Sequence, residues 1–123
     1  MSSNLFDLTD RVALVSGAAQ GMGKAMSLAL AQHGADVMLA DFNEGGLQQT
    51  ADAIAKIGRR AIPVKCDVSK PDQIRPMFAQ LDREFGRIDF LANVAGEGIL
   101  GKPEEISLEE VEQCWRNLVW GRF

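Results

Sequence analysis

Four short apolar runs, Arg11–Ser16, Asp36–Ala40, Ala61–Cys66 and Ile88–Asn93, punctuate the chain. They are nearly continuous in Val, Leu, Ile, Met and Ala rather than alternating with polar residues, which predicts strands buried on both faces of a parallel sheet. Between them the apolar positions change to a three-and-four spacing. Leu47, Ala51 and Ile54 form one such stripe, and Ile74, Met77, Phe78, Leu81 and Phe85 another, each the mark of a helix buried on one side. Gly34, Gly58 and Gly86 follow helical patterns in turn, as glycine does just past a helix end. A period of roughly 25 residues suits repeated βα units. The alternation predicts an open parallel sheet with helices on both faces.

The helix ends add detail. In Ser69-Lys70-Pro71-Asp72 the Ser69 side chain is expected to cap the third helix by accepting from the Asp72 amide. Pro76 removes an amide near that helix's first turn and predicts a local bend. Ser107-Leu108-Glu109-Glu110 has the capping-box pattern and opens a last helix. Its apolar stripe is Leu108, Val111, Trp115 and Leu118, with Trp115 read as core and Trp120 off the stripe as a possible partner contact. His33, in the last turn before Gly34, suits the negative end of the helix dipole and is read as structural.

Composition narrows the class of function. The 123 residues make one domain or part of one, with 46% hydrophobic and 24% charged residues, ordinary values for a globular protein. A formal net charge of -4 provides no basic footprint for nucleic acid or an anionic membrane. No apolar run reaches the roughly 18 residues of a membrane span, and the N-terminus lacks the basic region and apolar run of a signal peptide. Cys66 and Cys114 are isolated, which suits small hydrophobes in a reducing, cytoplasmic setting better than a disulfide framework. With His33 the only histidine, and with Glu104, Glu105, Glu109, Glu110 and Glu112 read as a solvated helix start, no metal site is expected.

The chemistry lies in the first βα connection. Ser16-Gly17-Ala18-Ala19-Gln20-Gly21-Met22-Gly23 joins the first strand directly to the first helix. Gly17 permits the tight turn, Gly21 lets a phosphate approach the backbone, and Gly23 lets the helix pack closely. A pyrophosphate would sit at the helix N-terminus, on its unpaired amides and positive dipole end. A glycine triple alone is a weak signal. Here it follows a strand, opens a helix, and is followed about twenty residues on by Asp41 at the end of the second strand, which makes a dinucleotide fingerprint. A carboxylate there accepts from both hydroxyls of an adenine ribose and repels a 2′-phosphate. Gln20, Phe42, Asn43 and Glu44 supply no positive charge to offset that repulsion. NAD is therefore expected rather than NADP.

With its four-then-two glycine spacing, Gly17-x-x-x-Gly21-x-Gly23, the sequence resembles the short-chain dehydrogenase/reductase family over essentially its whole length. Ser16 stands for the family's threonine and keeps its hydroxyl. Cys66-Asp67-Val68 is similar to the segment after the third strand, where an aspartate meets the adenine amino group. Asn93-Val94-Ala95-Gly96 resembles the family's Asn-Asn-Ala-Gly motif, with Val94 in second place. The resemblance implies a Rossmann-like, doubly wound α/β fold, truncated after about four strands and the start of the following long helix, so that residues 1–123 form a partial dinucleotide-binding domain. The cofactor-binding residues it implies are Gly17, Gln20, Gly21, Met22, Gly23, Asp41, Phe42, Asp67, Val68, Asn93, Val94, Ala95 and Gly96.

The resemblance also implies hydride transfer between a nicotinamide and an alcohol or carbonyl substrate, with a tyrosine, lysine and serine handling the proton and the substrate oxygen. This sequence contains no tyrosine, so no catalytic residue is assigned and the chain alone is expected to be inactive. The alternative reading is a non-catalytic nucleotide-binding or partner-binding module. The family's relay asparagine falls at Leu118 when Gly121 and Phe123 are aligned, which leaves Asn117 one residue early. The full-length protein is expected to be a homo-oligomer. The edge of the fourth strand is expected to be open, which would make the isolated chain marginally stable.

Overall fold

The computed structural model describes residues 4–122. Its elements run β1 (Val12–Ser16), α1 (Gly21–Gln32), β2 (Asp36–Asp41), α2 (Glu44–Ile57), β3 (Ala61–Lys65), α3 (Pro71–Phe85), β4 (Phe90–Asn93) and α4 (Leu108–Leu118), closed by a short 3-10 turn (Trp120–Arg122). The strands form one parallel sheet in the order β3-β2-β1-β4. This is the open parallel sheet that the hydrophobic pattern predicts and the α/β Rossmann-like architecture that the resemblance implies. Gly58 and Gly86 take left-handed conformations directly behind α2 and α3, and each amide bonds back to the last helical turn.

Successive strand residues face opposite sides of the sheet, and the core divides accordingly. Ala13, Val15, Val37 and Leu39 face α1 and α2, where Ala31, Leu47, Ala51 and Ile54 are buried. Leu14, Met38 and Ala40 face α3, through Met77 and Leu81. Full burial of side chains such as Leu14, Leu39 and Met38 stabilises the fold by about 1.5–3 kcal/mol apiece. The order β3-β2-β1 places α1 and α2 on one face. The crossover from β3 to β4 then passes α3 to the other. That reversal opens a crevice at the carboxyl ends of β1 and β4, the usual binding place in such sheets.

Two expectations are corrected. Ser69 does not cap α3: the capping residue is Lys70, without a side-chain bond, and the Ser69 hydroxyl donates instead to Asp67 Oδ1 at 2.6 Å. The nearer carboxylate outcompetes the helix amide for that hydroxyl. Helix α3 runs through Pro76 as one element, and Pro76 is exposed. Trp115 is not core. It is 56% exposed, and its stripe-mates Leu108, Val111 and Leu118 are exposed with it, because no element of the described residues covers that side of α4. The capping box of Ser107 and Glu110 does form. In β4 only Ala92 is buried, while Phe90 and Leu91 are 48% and 45% exposed, since β4 lies at a sheet edge.

Asp89 attaches that edge strand to the sheet. Its Oδ2 accepts the Val12 amide at 2.9 Å, and Oδ1 is bonded by Arg87. The Arg87 bond first, then the Val12 amide, hold the carboxyl below its ordinary range. A carboxylate depressed in the folded state stabilises at pH above its unfolded value, and that stabilisation is lost as pH falls through the folded value. Asp89→Asn is therefore expected to melt earlier than the parent at pH 7, with the gap closing below about pH 4. Thermal melts of both chains at a series of pH values check this, and a gap that persists at pH 2 contradicts it.

Candidate functional site

A cleft of about 630 Å³ opens at the carboxyl ends of the strands, walled by the glycine loop, the end of β2, the turn after β3, the segment after β4 and one face of α4. Every cofactor-binding residue expected from the sequence lines it except Asn93. The Asn93 side chain turns away, and its Nδ2 donates to the Arg122 carbonyl at 2.9 Å.

The loop is built by close backbone contacts. A Cβ on Gly23 would stand 2.0 Å from the Gly17 carbonyl oxygen, and one on Gly17 2.9 Å from the Ala95 amide nitrogen. Gly23 thus seats the helix on the loop, and Gly17 brings the loop against the segment after β4. Around Gly21 a Cβ would meet nothing within 4 Å, so the space in front of the helix N-terminus is open. The amides of Gly17 and Ala18 both donate to the Ala40 carbonyl. Those of Gly21, Met22 and Gly23 start the helix behind Gln20, which offers no side-chain cap, and have no acceptor among the described residues. Unpartnered donors at the positive end of a helix suit a phosphate group.

Asp41 ties the loop down and also lines the cleft. Its Oδ2 accepts the Ala19 amide at 3.1 Å and its Oδ1 the Asn43 amide at 3.0 Å, so it fixes the loop to the end of β2 while still facing the cleft. Each carboxylate oxygen keeps a further lone pair for a ligand hydroxyl. Met22 and Phe42 are exposed beside it. Across the cleft, Asp67 Oδ1 accepts the Ser69 amide and hydroxyl, leaving Oδ2 without a partner among the described residues. Burial, and secondarily the Asp67 charge, push the Cys66 thiol up, which keeps it protonated and unreactive at neutral pH.

The partners of several positioning residues escaped sequence reasoning, among them those of Ser16, of which the sequence marks the hydroxyl alone. The buried Ser16 hydroxyl accepts the amides of Val94 and Ala95, both at 3.1 Å, and donates to the Ala92 carbonyl, so one side chain sets the course of the wall after β4. The buried Thr50 hydroxyl on α2 shares its one proton between the Ala18 carbonyl at 2.9 Å and the Gly46 carbonyl at 3.1 Å. A Cβ on Gly46 would stand 2.8 Å from Ala19. Two adjacent glycines in the first turn of α2, where glycine costs helix stability, were the available signal for that contact. On α4, Gln113 and Asn117 line the cleft one turn apart, whereas the Leu118 side chain lies against Gly96.

A family profile described as short chain dehydrogenase matches residues 11–121. This chain belongs to the short-chain dehydrogenase family. Among its relatives, a hydroxynaphthalene reductase-like protein of Metarhizium robertsii is 36% identical over 110 residues, covering 88% of this chain and 41% of that protein. An NAD-dependent glycerol dehydrogenase of Listeria innocua is 37% identical over 119 residues, covering 96% of this chain and 45% of that protein. The crystal structure of a short-chain type dehydrogenase/reductase from Mycobacterium marinum superposes with a TM-score of 0.93 at 40% identity, covering 97% of this chain and 48% of that one. The chain thus spans less than half the length of these short-chain dehydrogenases.

The polar ties of the loop are open to test. Thr50→Val removes only a hydroxyl and leaves the buried Ala18 carbonyl unpaired, which is expected to cost about 1–3 kcal/mol. Denaturant unfolding of the two chains measures it, and an unchanged midpoint would show the bond to be dispensable.

Proposed function

We propose that this chain is the cofactor-binding half of an NAD-dependent oxidoreductase and that it holds the ADP half of the dinucleotide. The observation that carries the reading is the pairing, in one cleft, of three unpartnered amides at the start of α1 with the Asp41 carboxylate at the end of β2. The amides suit the pyrophosphate, and Asp41 suits the ribose hydroxyls while repelling a 2′-phosphate. Asp67 Oδ2 and the neighbouring Val68 amide offer an acceptor beside a donor, the complement of the amino edge of adenine. The NAD dependence in the name of the Listeria relative supports the same choice.

In the complete parent protein the reaction is hydride transfer between nicotinamide and an alcohol or carbonyl carbon of a small molecule. The cofactor supplies the hydride chemistry, and the protein orients it and handles the proton. This sequence has no tyrosine, so we assign that proton step to residues outside it and expect the 123-residue chain to be inactive. Asn117, which lines the cleft where Leu118 does not, is our candidate for the relay asparagine. The uncovered apolar stripe of α4 supports assembly of the parent as a homo-oligomer. No helix among the described residues is long and apolar enough to cross a membrane, and we read the protein as cytoplasmic.

Calorimetric titration of the chain tests the assignment. NAD is expected to bind tighter than NADP by at least about tenfold, a ratio worth roughly 1.4 kcal/mol, and ADP about as well as NAD. Asp41→Asn, which keeps one acceptor oxygen but not the charge, is expected to close most of the gap between NAD and NADP. Equal binding of the two cofactors by the parent chain would overturn the NAD assignment, and ADP binding far weaker than NAD would overturn the restriction to the ADP half.

A further inference from the structure

Gln73 is the third residue of α3, the position from which a glutamine ordinarily folds back onto the amide of the capping residue. That amide, on Lys70, is already taken by the Asp67 carbonyl at 3.0 Å. The Gln73 side chain reaches further back, and its Oε1 accepts the Asp67 amide at 2.8 Å. Its backbone carbonyl accepts the Cys66 thiol at 3.7 Å. One residue of α3 therefore pins two consecutive residues of the cleft wall, although Gln73 itself does not line the cleft.

The consequence falls on Asp67. Its amide is committed to Gln73, its carbonyl to Lys70, and its Oδ1 to Ser69. Only Oδ2 remains without a partner among the described residues. Hydrogen bonding is directional, and strength falls steeply as the angle closes. A carboxylate that is to select one base edge needs its backbone held as well as its side chain, and Gln73 provides the backbone hold. We propose that Gln73 is a positioning residue that sets base selectivity in this cleft, acting through Asp67 without touching the ligand. The inference rests on the ADP-half reading above.

Adenosine and inosine diphosphates differ only at the base edge in question. Adenine offers an amino donor beside a ring acceptor, whereas hypoxanthine offers an oxygen acceptor beside an N–H donor. Against Asp67 Oδ2 and the Val68 amide, hypoxanthine sets acceptor on acceptor and donor on donor. The 123-residue chain is expected to prefer ADP over inosine diphosphate by about tenfold or more. Gln73→Ala is expected to bring that ratio to within about threefold, while Gln73→Glu, which keeps an acceptor oxygen at the same reach, retains most of it. Both nucleotides are titrated into the same sample, so a loss of folded protein affects both alike and leaves the ratio intact. A parental ratio in Gln73→Ala would overturn the role of Gln73 and leave the ADP reading standing. A parent chain that binds the two nucleotides equally would overturn base reading by Asp67 and this inference with it, and one that binds neither would overturn the ADP reading as well.

Discussion

Helix α1 starts in contact with the turn that feeds it, and no side chain fits between them: a Cβ on Gly23 would stand 2.0 Å from the Gly17 oxygen. That approach sets the first helical turn, with its unpartnered amides, on the wall of the cleft. The rest of the site answers to it. Ala40 and Asp41 hold the loop from β2, Thr50 holds it from α2, and Ser16 draws the segment after β4 up to Gly17. Each of these bonds lies in or beside the buried core, where an unpaired polar group is costly. The cleft is therefore a consequence of backbone packing, and its polar ties keep that packing in one arrangement.

The two edges of the sheet are built differently. β3 carries Pro63 and Lys65, residues that discourage further strand pairing, and α2 packs beside it. β4 carries Phe-Leu-Ala-Asn with its apolar side chains largely in water. The exposed stripe of α4 follows it in the chain. Stability is accordingly concentrated in the β1, β2, α1 and α2 layer. Asp89, through Val12, is the main side-chain anchor at the start of β4, so the strand most weakly packed depends on a surface carboxylate that acid can titrate.

Much of this was legible in the chain itself. The strands, the glycine stops behind α2 and α3, and the capping box at Ser107 follow from local patterns whose physical causes act over a few residues. The glycine spacing with Asp41, Asp67 and Asn93–Gly96 marked the cleft, and all but Asn93 line it. Ser16, Thr50, Gly46 and Gln73 were not legible in the same way. Each acts on a backbone group contributed by another part of the chain, and a hydroxyl or carboxamide has no periodicity to betray such a partner. The misreading of Ser69 has the same origin, since its hydroxyl could serve either a helix amide or the Asp67 carboxylate.

By itself, the sequence determined the class of fold, the family and the place of the glycine loop with its acidic partner, because hydrophobic period, glycine placement and a single carboxylate are local and additive signals. The tertiary structure alone decided which polar groups remain free once the fold has used the others. It committed Asn93 to Arg122, gave both Asp41 oxygens structural bonds while leaving Asp67 Oδ2 without a partner among the described residues, turned Asn117 rather than Leu118 to the cleft, and left Trp115 in solvent. Burial and hydrogen-bond satisfaction are properties of the assembled layers, and they exist only where segments distant in the chain meet.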